Sequence, residues 1–463
     1  MTTYTTFLAS KRRHSPESGF DVADSDINPC LFDWQRDIVR WAIRRGKASV
    51  FCDTGLGKTI QQLEWASLVY RETGRDILLL APLAVSRQTF TEAHKFGIVD
   101  YCPVNVASEQ FAVQPGITIT NYQKLHKFDV DHFIGIVLDE SSIIKHQISK
   151  TRDKIISAFR DKPYRLACTA TPAPNDQMEL GNHAEFMGVM SRAEMLAMYF
   201  THDGGDTSKW RLKKHAHRDF YRWMATWSVM IRNPADIGYD GSAFILPELR
   251  IHQHEVKSKM PCDGFLFVME AKTLKEQREA RRQTISGRVK LLGELTNADP
   301  SEPWVVWCNL NAESTAAASV VKGSVEIRGT MLDYKKEEAL LDFTDGTKRA
   351  VVTKPSIAGF GMNWQHCHNM AFLGIDNSYE KFYQAVRRCW RFGQTEPVDV
   401  HVIVSDRDGA IARNLQRKEA EAREMSDGMI EAMAETSRDE IQSARREQTE
   451  YDPKVIMQLP EFV

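Results

Sequence analysis

The chain has 463 residues, a formal net charge of −2, 42 % hydrophobic residues and 26 % charged ones. That balance fits two or three soluble domains with ample core; it excludes a disordered polyelectrolyte and leaves any nucleic-acid surface to a local concentration of Lys and Arg. Eight scattered cysteines without a C-x-x-C pattern read as a reduced, intracellular protein, and no apolar run approaches the ~18 residues of a membrane span.

Residues 1–27 are polar and aperiodic, a loose lead-in without the apolar region of an export signal. From Leu31 a helix is predicted to about Arg45, because Trp34, Ile38, Trp41 and Ala42 recur at helical spacing. Gln35 on that helix has an amide suited to reading both edges of adenine.

Ser49-Val50-Phe51 ends a strand and Thr59 opens a helix, with a glycine loop between them. Such a loop turns backbone N–H groups of Thr54, Gly55, Leu56 and Gly57 inward to cradle phosphates. Lys58 then reaches the β- and γ-phosphates, and the Thr59 hydroxyl ligates Mg²⁺. Cys52 stands where the pattern's first glycine would be. ATP with Mg²⁺ is the expected ligand.

Helices are then expected over 59–70 and 86–95, and strands over 77–82, 117–120, 134–138 and 164–168. Short apolar strands alternating with helices predict a parallel sheet covered on both faces, with ligands at the strands' carboxyl ends. Asp139-Glu140 stands at one such end. There Asp139 would hold Mg²⁺ and Glu140 would orient and deprotonate the attacking water. Thr169-Ala170-Thr171 at the next end supplies hydroxyls for those carboxylates.

Residues 188–290 interrupt the alternation as a mostly helical segment. Within it Ser208–Trp223 sets Lys213, Lys214 and four further cations among aromatic side chains, and Lys272–Arg282 reads as a second basic helix. Strand/helix alternation returns over 291–408 without a second glycine loop. It closes on a helix whose one face would carry Gln384, Arg388 and Arg391, two arginines suited to the spread charge of phosphoryl transfer. Arg387 points elsewhere, to a salt bridge or to nucleic acid. Gly359 and Gly361 lie in a small-residue turn that would let backbone approach the ATP cleft or a phosphate backbone. His366-Cys367-His368 cannot enclose a metal without a second cluster. Residues 409–463 read as charged helices. Glu419 and Arg423 are spaced to pair, and Met425, Met429 and Met433 form a stripe expected to pack on the second lobe, with a partner-binding face as the alternative.

In this order the pieces resemble superfamily-2 helicases of the Swi/Snf-like branch. FDWQ (32–35) is similar to its adenine-reading element, DTGLGKT (53–59) to its glycine loop, APLAVSRQTF (81–90) and ITNYQKL (119–125) to motifs Ia and Ib. LDESSIIK (138–145) resembles motif II and TATPAPNDQMELGNHAEFM (169–187) motif III. KPSIAGFGMNWQ (354–365) resembles motif V and QAVRRCWRFGQTEPVDVH (384–401) motif VI. Ser142 stands where motif II usually has histidine, a position that couples the ATP site to the other motifs.

The resemblance implies two RecA-like lobes (28–187 and 291–408), a helical insertion between them (188–290) and a charged helical tail. It implies a DNA-dependent ATPase, with Glu140, Arg388 and Arg391 catalytic and translocation along duplex DNA. Asn121 and Lys124 in motif Ib and Lys127 just after it, with Lys213 and Lys214, are the expected nucleic-acid contacts. A strand-separating DNA or RNA helicase and an ATP-gated clamp with weak turnover are the alternatives. A monomer in the cytoplasm of a bacterial or phage-infected cell is expected, away from membranes and directed by a targeting protein partner.

Overall fold

The computed structural model describes residues 17–82, 85–145, 150–173, 176–203, 206–257, 282–358, 362–374 and 378–406, with 417, 420, 423, 424, 426–431, 433, 434, 437–439 and 441 in the C-terminal stretch. Two all-parallel sheets form the frame. The first runs β3 (Val104–Val106), β4 (Ile117–Asn121), β2 (Ile77–Ala81), β5 (Gly135–Asp139), β6 (Tyr164–Cys168), β1 (Lys47–Cys52), β9 (Ser228–Ile231). The central strands β2, β4 and β5 are buried throughout, as continuous apolar runs in a parallel sheet should be.

Helices α1 (Asp33–Arg45), α2 (Lys58–Thr73), α3 (Ser86–Lys95), α4 (Lys150–Ala158) and α5 (Leu180–Met187) cover this sheet. Trp34, Ile38, Trp41 and Ala42 of α1 all sink into one core cluster with Trp65 of α2, so the helical spacing correctly locates that buried face. Register fixes the functional edge: Cys168 lies opposite both Val50 and Asp139, so the exits of β1, β5 and β6 are adjacent.

The segment expected to be a helical insertion is mixed. After α6 (Arg192–Tyr199) comes an antiparallel hairpin, β7 (Phe200–Asp203) and β8 (Asp206–Leu212), and then α7 (His217–Ala225). The next strand, β9, pairs parallel with β1 and completes the first sheet. Phe220, Tyr221 and Trp223 of α7 join the first-lobe core, so the aromatic residues of the basic segment are structural. β10 (Leu249–Val256) pairs along its whole length with β15 (Val398–Ser405) of the second sheet. Residues 272–281 of the second predicted basic helix lie outside the described residues.

The second sheet runs β10, β15 (Val398–Ser405), β14 (Asn369–Leu373), β11 (Trp304–Cys308), β13 (Ala350–Thr353), β12 (Ser324–Glu326). Helices α8 (Ile285–Thr296), α9 (Asn311–Val320), α10 (Asp333–Thr344), the short α11 (Pro355–Ala358) and α12 (Tyr379–Val386) connect or flank its strands. The methionine stripe packs on the other lobe from the one expected: Met429, Ile430 and Met433 enter the first-lobe core, and Ile441 a second first-lobe cluster. The Arg232–Asp427 ion pair and an Arg438 bond to the Asp236 carbonyl reinforce that docking. Four-residue spacing identifies an apolar stripe but carries no information about which lobe covers it. Met425 and Glu419 lie outside the described residues. No described helix is long and apolar enough to cross a membrane.

Candidate nucleotide site between the lobes

β1 delivers the chain to the glycine loop, and α2 carries it away. Gly55 and Gly57 have φ of +93° and +68°, a region side chains resist. Cys52, in place of the first glycine, is the last residue of β1, and its side chain is fully buried in the sheet core. Burial pushes its thiol up to about 12, so it is inert. Lys58 folds over the loop, its Nζ donating to the carbonyls of Cys52 (2.9 Å) and Asp53 (3.2 Å). Thr59 is the second residue of α2, half-buried.

Gln35 braces this loop. Its Nε2 donates to the Leu56 carbonyl at 3.0 Å, and its Oε1 accepts from the Phe32 N–H at 3.0 Å. A Cβ on Gly57 would sit 2.5 Å from Gln35 Nε2, which shows how closely the helix backs the loop. The amide expected to face adenine thus grips the loop's own backbone.

Asp139 ends β5 with its carboxylate buried, accepting from Gln62 Nε2 at 2.8 Å, while Tyr122 donates to its backbone carbonyl at 2.6 Å. Burial, then the Glu140 charge, pushes its carboxyl up to about 6, opposed by Gln62 and the Lys58 ammonium. Glu140 has φ +52°, the sole positive value among described non-glycine residues, and such strain concentrates at functional sites. Thr169 Oγ1 donates to Glu140 Oε2 at 3.4 Å, the hydroxyl-to-carboxylate contact anticipated at that strand end. Beside them Ser141 Oγ meets His183 Nε2 at 3.0 Å, and burial drops that imidazole to about 3, so it is neutral. Ser142 is buried.

The second lobe reaches this edge. α12 ends at Val386, so Arg388 and Arg391 project from the turns after it rather than from the single helix face expected. Both converge all the same: each donates to the Met362 carbonyl at 3.3 Å, and Arg388 Nε also donates to the Gln384 carbonyl at 2.9 Å. Burial, with Arg391 nearby, lowers the Arg388 guanidinium to about 10, against the opposing charges of Glu140 and Asp139. The Phe392 N lies 2.8 Å from where a Cβ on Gly55 would be, and Arg391 Cβ lies 3.6 Å from it. The two lobes therefore meet at the glycine loop. Gly359 and Gly361 fall outside the described residues.

Sequence reasoning missed several groups here. Phe392 stacks on Phe244 (4.8 Å between centroids), and Phe32 approaches both rings edge-on at 6.4 and 5.3 Å. Phe244 ends the 3-10 helix Ser242–Phe244, too short to give a periodic signal, whereas Phe392 directly follows Arg391. Arg387 forms the salt bridge that was one of its two expected roles, and its partner is Asp53 of the glycine loop.

The expected nucleic-acid residues do not form one cluster. Asn121 is buried and caps the turn Tyr122–Lys127, accepting from the Lys124 N–H at 3.2 Å. Lys124 is half-buried and Lys127 exposed, both beyond the carboxyl end of β4, on the same sheet edge as the glycine loop. Lys213 Nζ caps α6 through the carbonyls of Ala197 (3.0 Å) and Met198 (2.9 Å), while Lys214 beside it is exposed.

Residues 34–194 match the SNF2-related domain, and residues 287–393 match the helicase conserved C-terminal domain. Among solved structures, the chain is similar to a Sulfolobus solfataricus SWI2/SNF2 ATPase core in complex with dsDNA, at 16 % identity and a TM-score of 0.42, covering 88 % of this chain and 98 % of that one. At that identity and score the likeness adds nothing to the assignment. No curated protein matches the chain. Two family models in this order, lying on two parallel-sheet lobes that meet at a glycine loop, identify the chain as a member of the Swi/Snf-like branch of superfamily 2, an ATP hydrolase of the helicase and translocase class.

Proposed function

We propose that this ATPase works with Mg²⁺ and couples hydrolysis to translocation along duplex DNA, through one nucleotide shared by both lobes. The observation carrying this reading is the approach of Arg391-Phe392 to Gly55, with Arg388 in the field of Glu140 and Asp139. The donor set fits the magnesium nucleotide: a glycine cradle, one ammonium, one hydroxyl and a buried carboxylate whose ionised form gains from a cation. When bound, Mg²⁺ would neutralise phosphate charge as it develops in the reaction.

In this reading Lys58 leaves the loop carbonyls for the phosphates, and Thr59 and Asp139 hold the metal's coordination shell. Glu140 accepts a proton from the attacking water, its strained backbone aiming the carboxylate and Thr169 steadying one oxygen. Arg388 and Arg391 meet the charge that develops on the transferred phosphoryl group, a contribution on the order of 10³–10⁵ in turnover. Lobe separation after hydrolysis would move Lys124 and Lys127 relative to contacts on the second lobe.

ATPase rates with duplex DNA, single-stranded DNA and RNA, beside triplex- and strand-displacement assays, test the reading. Duplex stimulation with triplex displacement supports it. Strand separation, or nucleotide-gated binding without turnover, would replace it with a helicase or a clamp.

A further inference from the structure

The Asp53 carboxylate is the point where the two lobes are wired together. Its Oδ1 accepts the Thr54 N–H at 2.6 Å and also the Tyr383 hydroxyl, while its Oδ2 pairs with Arg387 Nη2. The ion-paired side chains are only 5 % (Arg387) and 11 % (Asp53) exposed. Arg387 is held from every side. Its Nε donates to Tyr383 Oη at 3.1 Å and its Nη1 to the Trp390 carbonyl at 3.3 Å. Its guanidinium lies 4.6 Å over the Trp390 ring and 5.4 Å over Tyr383. Trp390 in turn donates through Nε1 to the Pro247 carbonyl at 2.7 Å, on the segment between the lobes.

A carboxylate inside a loop that cradles phosphates repels them unless a cation offsets it, and here that cation comes from the opposite lobe. Arg387 also directly precedes Arg388 and lies four residues before Arg391 in the same turn-rich stretch, so its anchor fixes where both guanidiniums arrive. Misplacement by about 1 Å at such a site costs on the order of 10² in rate.

We propose that Asp53, Arg387 and Tyr383 are positioning residues for hydrolysis: the ion pair seats the Arg388–Arg391 turn on the glycine loop and makes that loop electrostatically fit for triphosphate only when the second lobe is docked. This rests on the shared-nucleotide reading. Docking itself has other supports, the Lys145–Glu380 ion pair and the Phe244–Phe392 stack, so removing the Asp53 contact tests placement rather than lobe association.

The experiment is a double-mutant cycle of Asp53→Asn and Arg387→Met on the full chain, reading kcat and KM for ATP, with Tyr383→Phe as a variant that keeps the ring and its packing. Arg387→Met should lower kcat at least about tenfold and raise KM, since it leaves the carboxylate facing phosphate. Adding Asp53→Asn should bring KM back to within about threefold of wild type while kcat stays low. Tyr383→Phe should lower kcat several-fold with the melting temperature held. Independent, multiplying effects, or unchanged kcat in Tyr383→Phe and Arg387→Met, would overturn the proposal. Failure of the shared-nucleotide reading is seen separately, as an Arg391→Ala variant with wild-type turnover.

Discussion

Replacing Asp139 by Asn should stabilise the nucleotide-free protein while abolishing its turnover, with a pH dependence that the buried carboxylate dictates. Its carboxyl is raised from 3.8 to about 6, chiefly by burial. The folded state thus holds a proton that the unfolded chain has released, and stability falls as pH climbs from about 4 through about 6. The cost is fully present above that window and absent below it. A rise of that size corresponds to about 3 kcal/mol. Asn avoids the charge and keeps an acceptor for Gln62, whose Oε1 is buried without a partner and gains a donor. Thermal melts at pH 5, 6, 7 and 8 should show a gap in favour of the Asn variant that opens with rising pH to several degrees. Mg²⁺ with ATP should narrow the gap, because a cation beside this side chain would favour a carboxylate over an amide. A variant less stable than wild type at pH 8, or a gap independent of pH, would refute the reasoning.

Gly55→Ala should reduce turnover by more than tenfold: the added methyl meets Phe392 backbone at 2.8 Å at a φ of +93°, and a structure of the variant should show the lobes displaced. Met433→Ala should cost about 2–5 kcal/mol, and hydrogen exchange should rise in the first lobe rather than the second, because Met433 is fully buried in the first-lobe core. Lys127→Ala should weaken DNA binding and reduce its salt slope by roughly one, measured by titration at several salt concentrations. Lys213→Ala should instead act on the melting temperature, because that ammonium caps α6.

The legible parts of the molecule were those written in local pattern. β2 is an uninterrupted apolar run and lies within a residue of its expected bounds. The glycine loop and the Asp139-Glu140 pair are legible because each follows directly on a mostly apolar strand, and the structure sets those strand ends on either side of β6. What stayed hidden depends on partners distant in sequence. β9 reads as an unremarkable four-residue run, and only β1 beside it makes it a strand. Gln35 has one sequence signature whether its amide faces a base or Leu56, and the choice is fixed by how closely α1 backs the loop. The Asp53–Arg387 pair spans the two lobes, a separation at which charge pattern carries no pairing information.

The most direct measurement of the central claim is turnover and ATP affinity of Arg391→Ala, determined on the same preparation. If one nucleotide lies between the lobes, turnover falls on the order of 10³-fold while the dissociation constant for ATP changes by no more than a few-fold. Turnover within about threefold of wild type, or a loss explained entirely by weaker ATP binding, would contradict it.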